Sequence, residues 1–363
     1  MEKGKFIADI MENDRVEGVF LVKSKHLYSS KNGVPYIALT ITDRTGEIEG
    51  RIWENAQAVD NTFGQRDFVF VKGDAVSWQG ATQIKISDIK RLDDCDVDAG
   101  LFMPLCPIGT KELWEELQLY IKKIKNQNFK RLLQETFNDK KIKDEFLKAP
   151  AAKRMHHAYL GGLLEHSVSV ARLADAISRL YPQLDSDLLI AAAILHDIGK
   201  IKELSFKRPP IDYSNEGRLV GHLVLGAGMI DEIATGAGLN KEASDLVLLK
   251  HLILSHHGQK EFGTPILPMT EEAVALHLID DLDAKLNYLK SLKNEIDGDD
   301  YGWTEYQRLL ERYFYLKGSR ALEAAGSEGI AKQEGLNDKG DKKDSNMSFV
   351  RQMDLLSTED QVW

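Results

Sequence analysis

The sequence predicts a multidomain chain of mixed α and β structure, a small five-stranded β-barrel followed by an all-α domain. Three observations carry that expectation. Apolar residues alternate with period two through much of residues 15–91, they recur at helical spacing beyond residue 110, and nine of the ten histidines lie between positions 156 and 277. The two periodicities set the secondary structure. The third shows where chemistry is concentrated, because neutral imidazole is the commonest transition-metal ligand.

Five strands are expected over residues 15–24, 36–42, 47–53, 67–78 and 82–91, with a short helical patch at 55–63. Turn residues separate them, Asn32-Gly33 before the second, Asp43-Arg-Thr-Gly46 after it and Gln79-Gly80 before the fifth. With Ile37, Leu39, Ile41, Ile48 and Ile52 facing inward, period two turns Tyr36, Arg51 and Trp53 outward. Exposed aromatic rings next to cations suit single-stranded nucleic acid, and Lys23, Lys25 and Lys72 are further candidates for phosphate contact. Residues 1–92 make this domain.

Residues 93–109, with the acidic run Asp93-Asp-Cys-Asp-Val-Asp98 and then Gly100 and Pro104, read as a linker. Thr110 is expected to cap a long helix in which Leu113, Leu117, Tyr120, Ile121 and Ile124 share a face and Lys122, Lys123 and Lys125 make a basic side. The helical region runs over 110–317, with its core at 150–317. There, helices at 159–180, 187–200, 219–234, 241–254 and 271–292 carry or lead to His166, His196-Asp197, His222, His256-His257 and the group His277, Asp280, Asp281 and Asp283. Residues 318–363 are polar and low in apolar content, so a disordered tail is expected.

Composition narrows the function classes. Cys95 and Cys106 are too few for a disulfide framework. The longest apolar run, 188–195, is far short of the ~20 residues of a membrane span. No apolar leader opens the chain, and a cytoplasmic protein without membrane contact is expected. The net charge of −10 argues against indiscriminate nucleic-acid binding. Residues 111–154, however, hold 12 basic against 7 acidic side chains, while 155–317 hold 16 against 24, a deficit that bound cations would offset.

The stretch from Leu188 through His196-Asp197-Ile-Gly-Lys200 ends an apolar helix in polar ligands. A mixed imidazole and carboxylate donor set suits manganese, cobalt, iron, nickel or zinc better than magnesium or calcium. Lys200, one turn past Asp197, would meet a phosphate oxygen as a point charge. His156 and His157, just before the first of these helices, are candidates for substrate contact. His251 and His277 are expected to be structural.

The order His166, His196-Asp197 and an acid near 280 resembles the HD-domain metal-dependent phosphohydrolases, and the intervening His222 and His256-His257 resemble their two-metal branch. By that resemblance His166, His196, Asp197 and Asp280 would bind one ion and Asp197, His222 and His256 a second, with His257 a further ligand. Asp280-Asp-Leu-Asp283-Ala284 is similar to the family's Asp-x-x-Asp-Ala pattern, which selects Asp280 over its neighbour Asp281. The five-strand segment resembles nucleic-acid-binding OB-fold domains. Their combination, with Gly161-Gly-Leu-Leu-Glu-His166 and Ser255-His-His-Gly258, resembles the YhaM-type 3′-to-5′ exoribonucleases over residues 10–317. The resemblance implies two divalent ions, manganese first, and a metal-activated hydroxide that releases nucleoside 5′-monophosphates from single-stranded RNA, with single-stranded DNA and the oligomeric state left open. Asp197 and Lys200 would be the catalytic pair. Two other readings stand beside it: an HD phosphohydrolase of nucleotides or cyclic dinucleotides with a regulatory barrel, and a non-catalytic nucleic-acid-binding protein.

Overall fold

The computed structural model describes residues 3–318 other than 31, 79, 94–96, 154, 294, 295, 297 and 299. Gln79, Cys95 and the expected tail beyond Gly318 lie outside the described residues. The chain divides into two compact units, Met1–Ser291 and Leu292–Trp363.

In the first unit, β1 (Arg15–Ser29), β2 (Pro35–Asp43), β3 (Gly46–Ile52), β4 (Phe68–Trp78) and β5 (Ala81–Arg91) close into a barrel of order β1-β2-β3-β5-β4. The period-two reading places the core correctly. Ile37 pairs with Ile52 and Ile41 with Ile48, and all four side chains are buried. Gly50 faces Leu39 because a Cβ there would meet the Ile86 side chain at 2.7 Å. The β1 strand is longer than expected. It pairs with β4 through its first half and with β2 through its second, shifting register between Val22 and Ser24. Residues 25–29 are mostly exposed, so no hydrophobic alternation marked them in the sequence. The helical patch is α1 (Ala56–Asp60).

The helical region begins with α2 (Thr110–Lys123), α3 (Gln127–Asn138) and α4 (Lys140–Lys148). Thr110 is the first helical residue and not the cap, a place taken by Gly109. Asn126 and Asp139 cap α3 and α4, each accepting two backbone N–H bonds with its side chain. Next come α5 (Gly162–Leu180), α6 (Ser186–Leu195), α7 (Lys200–Glu203), α8 (Asn215–Val220), α9 (His222–Gly236), α10 (Ser244–Ser255) and α11 (Glu271–Leu292). Every residue of α6 from Leu188 to Leu195 is buried, and α2, α3, α5 and α10 pack against it. A helix apolar on all sides belongs at the centre of a bundle. The structure also adds a two-residue ribbon, β6 (Leu204–Ser205) with β7 (Asp212–Tyr213), too short to leave a periodic signature.

The linker is clamped to both neighbours. Phe102 is buried against Phe68 of β4 at a ring distance of 4.9 Å, in a cluster with Val19, Leu21 and Leu92. The Arg44 amide donates to the Leu101 carbonyl at 3.0 Å, and the Cys106 amide to the Leu160 carbonyl at 2.9 Å. No described helix is long and apolar enough to cross a membrane.

In the second unit, β8 (Tyr301–Trp303) pairs with β9 (Tyr315–Lys317), and Tyr301 stacks on Tyr315 at 5.4 Å.

Phe102→Ala is expected to cost about 3 kcal/mol in urea denaturation, the scale of a large-to-small core change. An effect below ~1 kcal/mol would show that the linker is a passive tether.

Candidate metal centre

Four helix ends and two helix interiors deliver the polar groups. His166 projects from the first turns of α5, which starts where Gly161 turns left-handed at φ 81°. A Cβ on Gly162 would meet the His157 carbonyl at 2.0 Å, so the pair of glycines lets the 150–160 loop fold onto the helix start. His196 and His256 end α6 and α10 in the same way. Each donates from Nδ1 to the carbonyl three residues back, Ala193 at 3.0 Å and Ile253 at 2.8 Å. His222 opens α9, with Glu203 Oε1 accepting both its amide (3.0 Å) and its Nδ1 (2.9 Å). His257 Nδ1 faces the Phe262 carbonyl at 2.8 Å, and His166 Nδ1 faces Asp283 at 2.8 Å. With every Nδ1–H engaged by an oxygen, the Nε2 lone pair of each ring is free to face inward.

These atoms converge on Asp197. Its Oδ2 lies 3.3 Å from His196 Nε2 and 3.6 Å from His166 Nε2, and Asp280 Oδ1 lies 3.0 Å from the latter. Its Oδ1 faces the other way, 3.5 Å from His222 Nε2 and 3.6 Å from His256 Nε2. His257 Nε2 completes that side, 3.2 Å from His222 Nε2. The two oxygens of Asp197 thus face different imidazoles, His196 and His166 on one side and His222 and His256 on the other.

The donor chemistry fits divalent cations. Asp197 Oδ1 is buried without a hydrogen-bond partner among the described residues, an expensive state for a carboxylate oxygen unless a cation meets it. Burial works against charge on Asp197 and Asp280. Lys200 and His196 nevertheless hold Asp197 well below the usual carboxylate range, and His166 and His196 do so for Asp280. Burial likewise opposes charge on His196, which Asp197 and Asp280 raise to about 10, whereas burial dominates at His256 and lowers it to about 3. His256 is thus a neutral ring beside ionised carboxylates, the state a metal ligand needs, whereas His196 carries a proton that a cation would displace on binding.

Asp280 points into the cluster, while its neighbour Asp281 pairs with Lys285 at 2.6 Å. Lys200 Nζ sits 2.6 Å from Asp197 Oδ2. His251 accepts from the Met269 amide at 3.0 Å, and His277 Nδ1 faces the His256 carbonyl at 2.9 Å, both structural. His156 places its ring 5.4 Å from that of His166, with Nδ1 buried and without a hydrogen-bond partner among the described residues. The expectation that His157 touches substrate meets a different geometry. It is 3% exposed and bonded to Asp283 at 3.1 Å and Glu165 at 3.0 Å, so it sits behind His166 and Asp283. The sequence reading assigned no role to Glu203 or Asp283. The available signal was spacing, since each lies three residues beyond a singled-out polar residue, Lys200 or Asp280, on the same helix.

On the barrel, Tyr36 stacks on Trp53 with centroids 4.5 Å apart, and Tyr28 (5.8 Å from Tyr36) and His26 (5.9 Å from Tyr28) extend the row. Arg51 lies 5.9 Å from the Tyr36 ring. Tyr28 and His26 escaped sequence reading because β1 was expected to stop at 24. The three lysines do not join this row. Lys25 pairs with Asp60 at 2.9 Å and donates to the Phe63 carbonyl at 2.7 Å, holding α1. Lys72 pairs with Glu17 across the β1–β4 ladder, and Lys23 pairs with Glu47.

An HD-domain family profile matches residues 163–285. The chain is 38% identical over 320 residues to the 3′-5′ exoribonuclease YhaM of Bacillus subtilis, covering 87% of this chain and 98% of that protein. It is 38% identical over 299 residues to the 3′-5′ exoribonuclease YhaM of Listeria welshimeri, covering 81% and 93%. The protein of that name from Bacillus licheniformis is 37% identical over 305 residues, covering 83% and 94%.

Two substitutions test the supports of the cluster. Glu203→Gln is expected to weaken manganese binding 10- to 100-fold in calorimetry, the usual cost of removing a partner behind a ligand. Gly199→Ala would set a Cβ 2.1 Å from the His222 carbonyl. Its expected cost is about 1–3 kcal/mol of stability, measured by urea denaturation.

Proposed function

The chain belongs to the YhaM family of 3′-5′ exoribonucleases and is a metal-dependent 3′-5′ exoribonuclease, and on that premise we propose how its residues divide the reaction. The observation that carries the proposal is Asp197, whose two oxygens address different sets of imidazoles. His166, His196, Asp197 and Asp280 would hold one divalent cation, and Asp197, His222 and His256, with His257, would hold a second. Manganese is the first candidate because the donors mix imidazole and carboxylate.

When bound, the cations lower the pKa of an attacking water and offset charge on the phosphoryl oxygens. The protein does the rest. Lys200 keeps Asp197 ionised and stands where a phosphate oxygen would be met. His156 presents a ring beside His166 at the substrate side. Glu203, Asp283 and the two helix-end carbonyls engage Nδ1 of the imidazoles and so leave Nε2 as the atom aimed at the cations, the proton on metal-free His196 being given up on binding. Stacking on Tyr36 and Trp53, with Arg51 near the phosphates, holds single-stranded RNA, whose 3′ end reaches the centre and leaves as nucleoside 5′-monophosphates.

The test is incubation of the protein with 5′-labelled single-stranded RNA or DNA, with manganese or chelator, read on a sequencing gel. A ladder shortening from the unlabelled end, seen only with metal, is expected for RNA. His196→Ala and Asp197→Ala are expected to lose at least about 10²-fold in rate while still shifting RNA in a gel; wild-type rates in either variant would defeat the ligand assignment.

A further inference from the structure

We infer that the cleft between the barrel and the helical region is the track by which single-stranded RNA travels from the barrel's aromatic row to the metal centre, an inference that rests on the exoribonuclease reading above. The cleft has a volume of about 550 Å³, and it joins two places already described.

Its near wall is the end of the barrel's outer face. In the β1–β2 ladder, Tyr28 pairs with Tyr36 at one end and Leu21 with Thr42 at the other. The aromatic row sits at the first end, whereas Lys23, Thr42 and Glu47 line the cleft at the second. Tyr36, Ala38, Thr40 and Thr42 share one face, and six residues at ~3.3 Å each separate the ends by about 20 Å. The far wall comes from Lys153 and the 209–212 segment. Lys153 precedes His156 by three residues, at most about 11 Å of chain, and His156 stands against His166. The cleft thus begins where the aromatic face ends and finishes within one loop of the ligands.

Its charge runs against that of the chain. The protein carries −10 overall, but Lys23, Arg66 and Lys153 outnumber Glu47 and Asp212 among the lining side chains. Arg208 donates to the Arg66 carbonyl at 2.7 Å, and Arg218 to Asp212 at 2.9 Å, which brings two more cations to the rim. Lys23 pairs with Glu47 and Lys153 with Asp212, the side chains being 58% and 53%, and 29% and 33%, exposed. The first pair is exposed enough to contribute little, so a phosphate can replace Glu47 at small cost, whereas Asp212 holds Lys153 more firmly, at 2.6 Å. Laid end to end, the ~20 Å of strand and up to ~11 Å of loop take about nine nucleotides at ~3.4 Å each, with the crossing of the cleft still to be added.

Photo-crosslinking of the metal-loaded, full-length protein tests the track. RNAs with hydrolysis-resistant 3′-terminal linkages each carry a single 4-thiouridine at a different distance from the 3′ end, and the labelled peptides are mapped by mass spectrometry. Thiouridines near the 3′ end are expected to label the peptides of Lys153 and 209–212, those further back the peptide of Arg66, and those about nine or more nucleotides back the β2 and β3 peptides. Capture of the terminal nucleotides by β2 or β3, or no label on either cleft wall, overturns the inference. Arg66→Glu is expected to raise KM for a long RNA about tenfold, and to reduce the slope of log affinity against log salt by about one, with kcat unchanged. Unchanged KM and slope count against the track. Failure of the wild-type protein to trim unmodified RNA would instead defeat the exoribonuclease reading.

Discussion

A single buried carboxylate organises the catalytic half of this molecule. Asp197 is 1% exposed at the end of a helix that is apolar on every side, where an unpaired charge would cost several kcal/mol. Lys200 at 2.6 Å and the converging imidazoles make ionisation tolerable, and the orphaned Oδ1 leaves room for a further positive partner. The apolar bundle around α6 keeps the carboxylate in place, and α5, α9, α10 and α11 bring their ligands to it. Rigid packing is what makes such convergence repeatable, since ligand atoms must sit within tenths of an ångström of the required geometry.

The supports behind the ligands follow one economical pattern. Both α6 and α10 end in a histidine whose ring uses a carbonyl of its own last turn, a group left over by the helix hydrogen-bond ladder. Where no such carbonyl is at hand, a buried acid takes its place, Glu203 for His222 and Asp283 for His166. Asp283 in turn is held by His157 and by Ser169, which donates to its other oxygen. His157 adopts a left-handed backbone, φ 47°, that an ordinary residue avoids. Its buried place beside Glu165 and Asp283 offsets that strain.

The barrel and the helical region meet through a clamped linker, so the aromatic row and the metal centre keep a fixed relation within one compact unit. A processing site gains from this, because a strand anchored by base stacking presents its end at a defined distance. Stacking is tolerant of sequence, as every base offers a π-face, which suits an enzyme that removes nucleotides one after another.

Local patterns alone determined a good deal. Alternation assigned the inward faces of β2 and β3 and hence Tyr36, Arg51 and Trp53 to the outside, and the resemblance to the HD family pointed to His166, His196, Asp197, His222, His256 and Asp280, which the fold brings together. What remained hidden depended on contacts between distant segments. The second half of β1, with His26 and Tyr28, is solvated and so leaves no hydrophobic rhythm. Glu203 and Asp283 look like ordinary helix-surface acids until another helix covers them, and His157 looks like a partner of His156 until its ring bonds to Asp283 and Glu165 while that of His156 finds no hydrogen-bond partner for Nδ1 among the described residues. Of the lysines that seemed ready for phosphate, Lys25 and Lys72 pair with Asp60 and Glu17, neither a sequence neighbour, while Lys23 lies beside Glu47 in the cleft. Periodicity reports which face of an element is buried; which oxygen meets which nitrogen is decided only when the elements pack, because hydrogen bonds and ion pairs act over about 3 Å and the chain between their partners spans tens of residues.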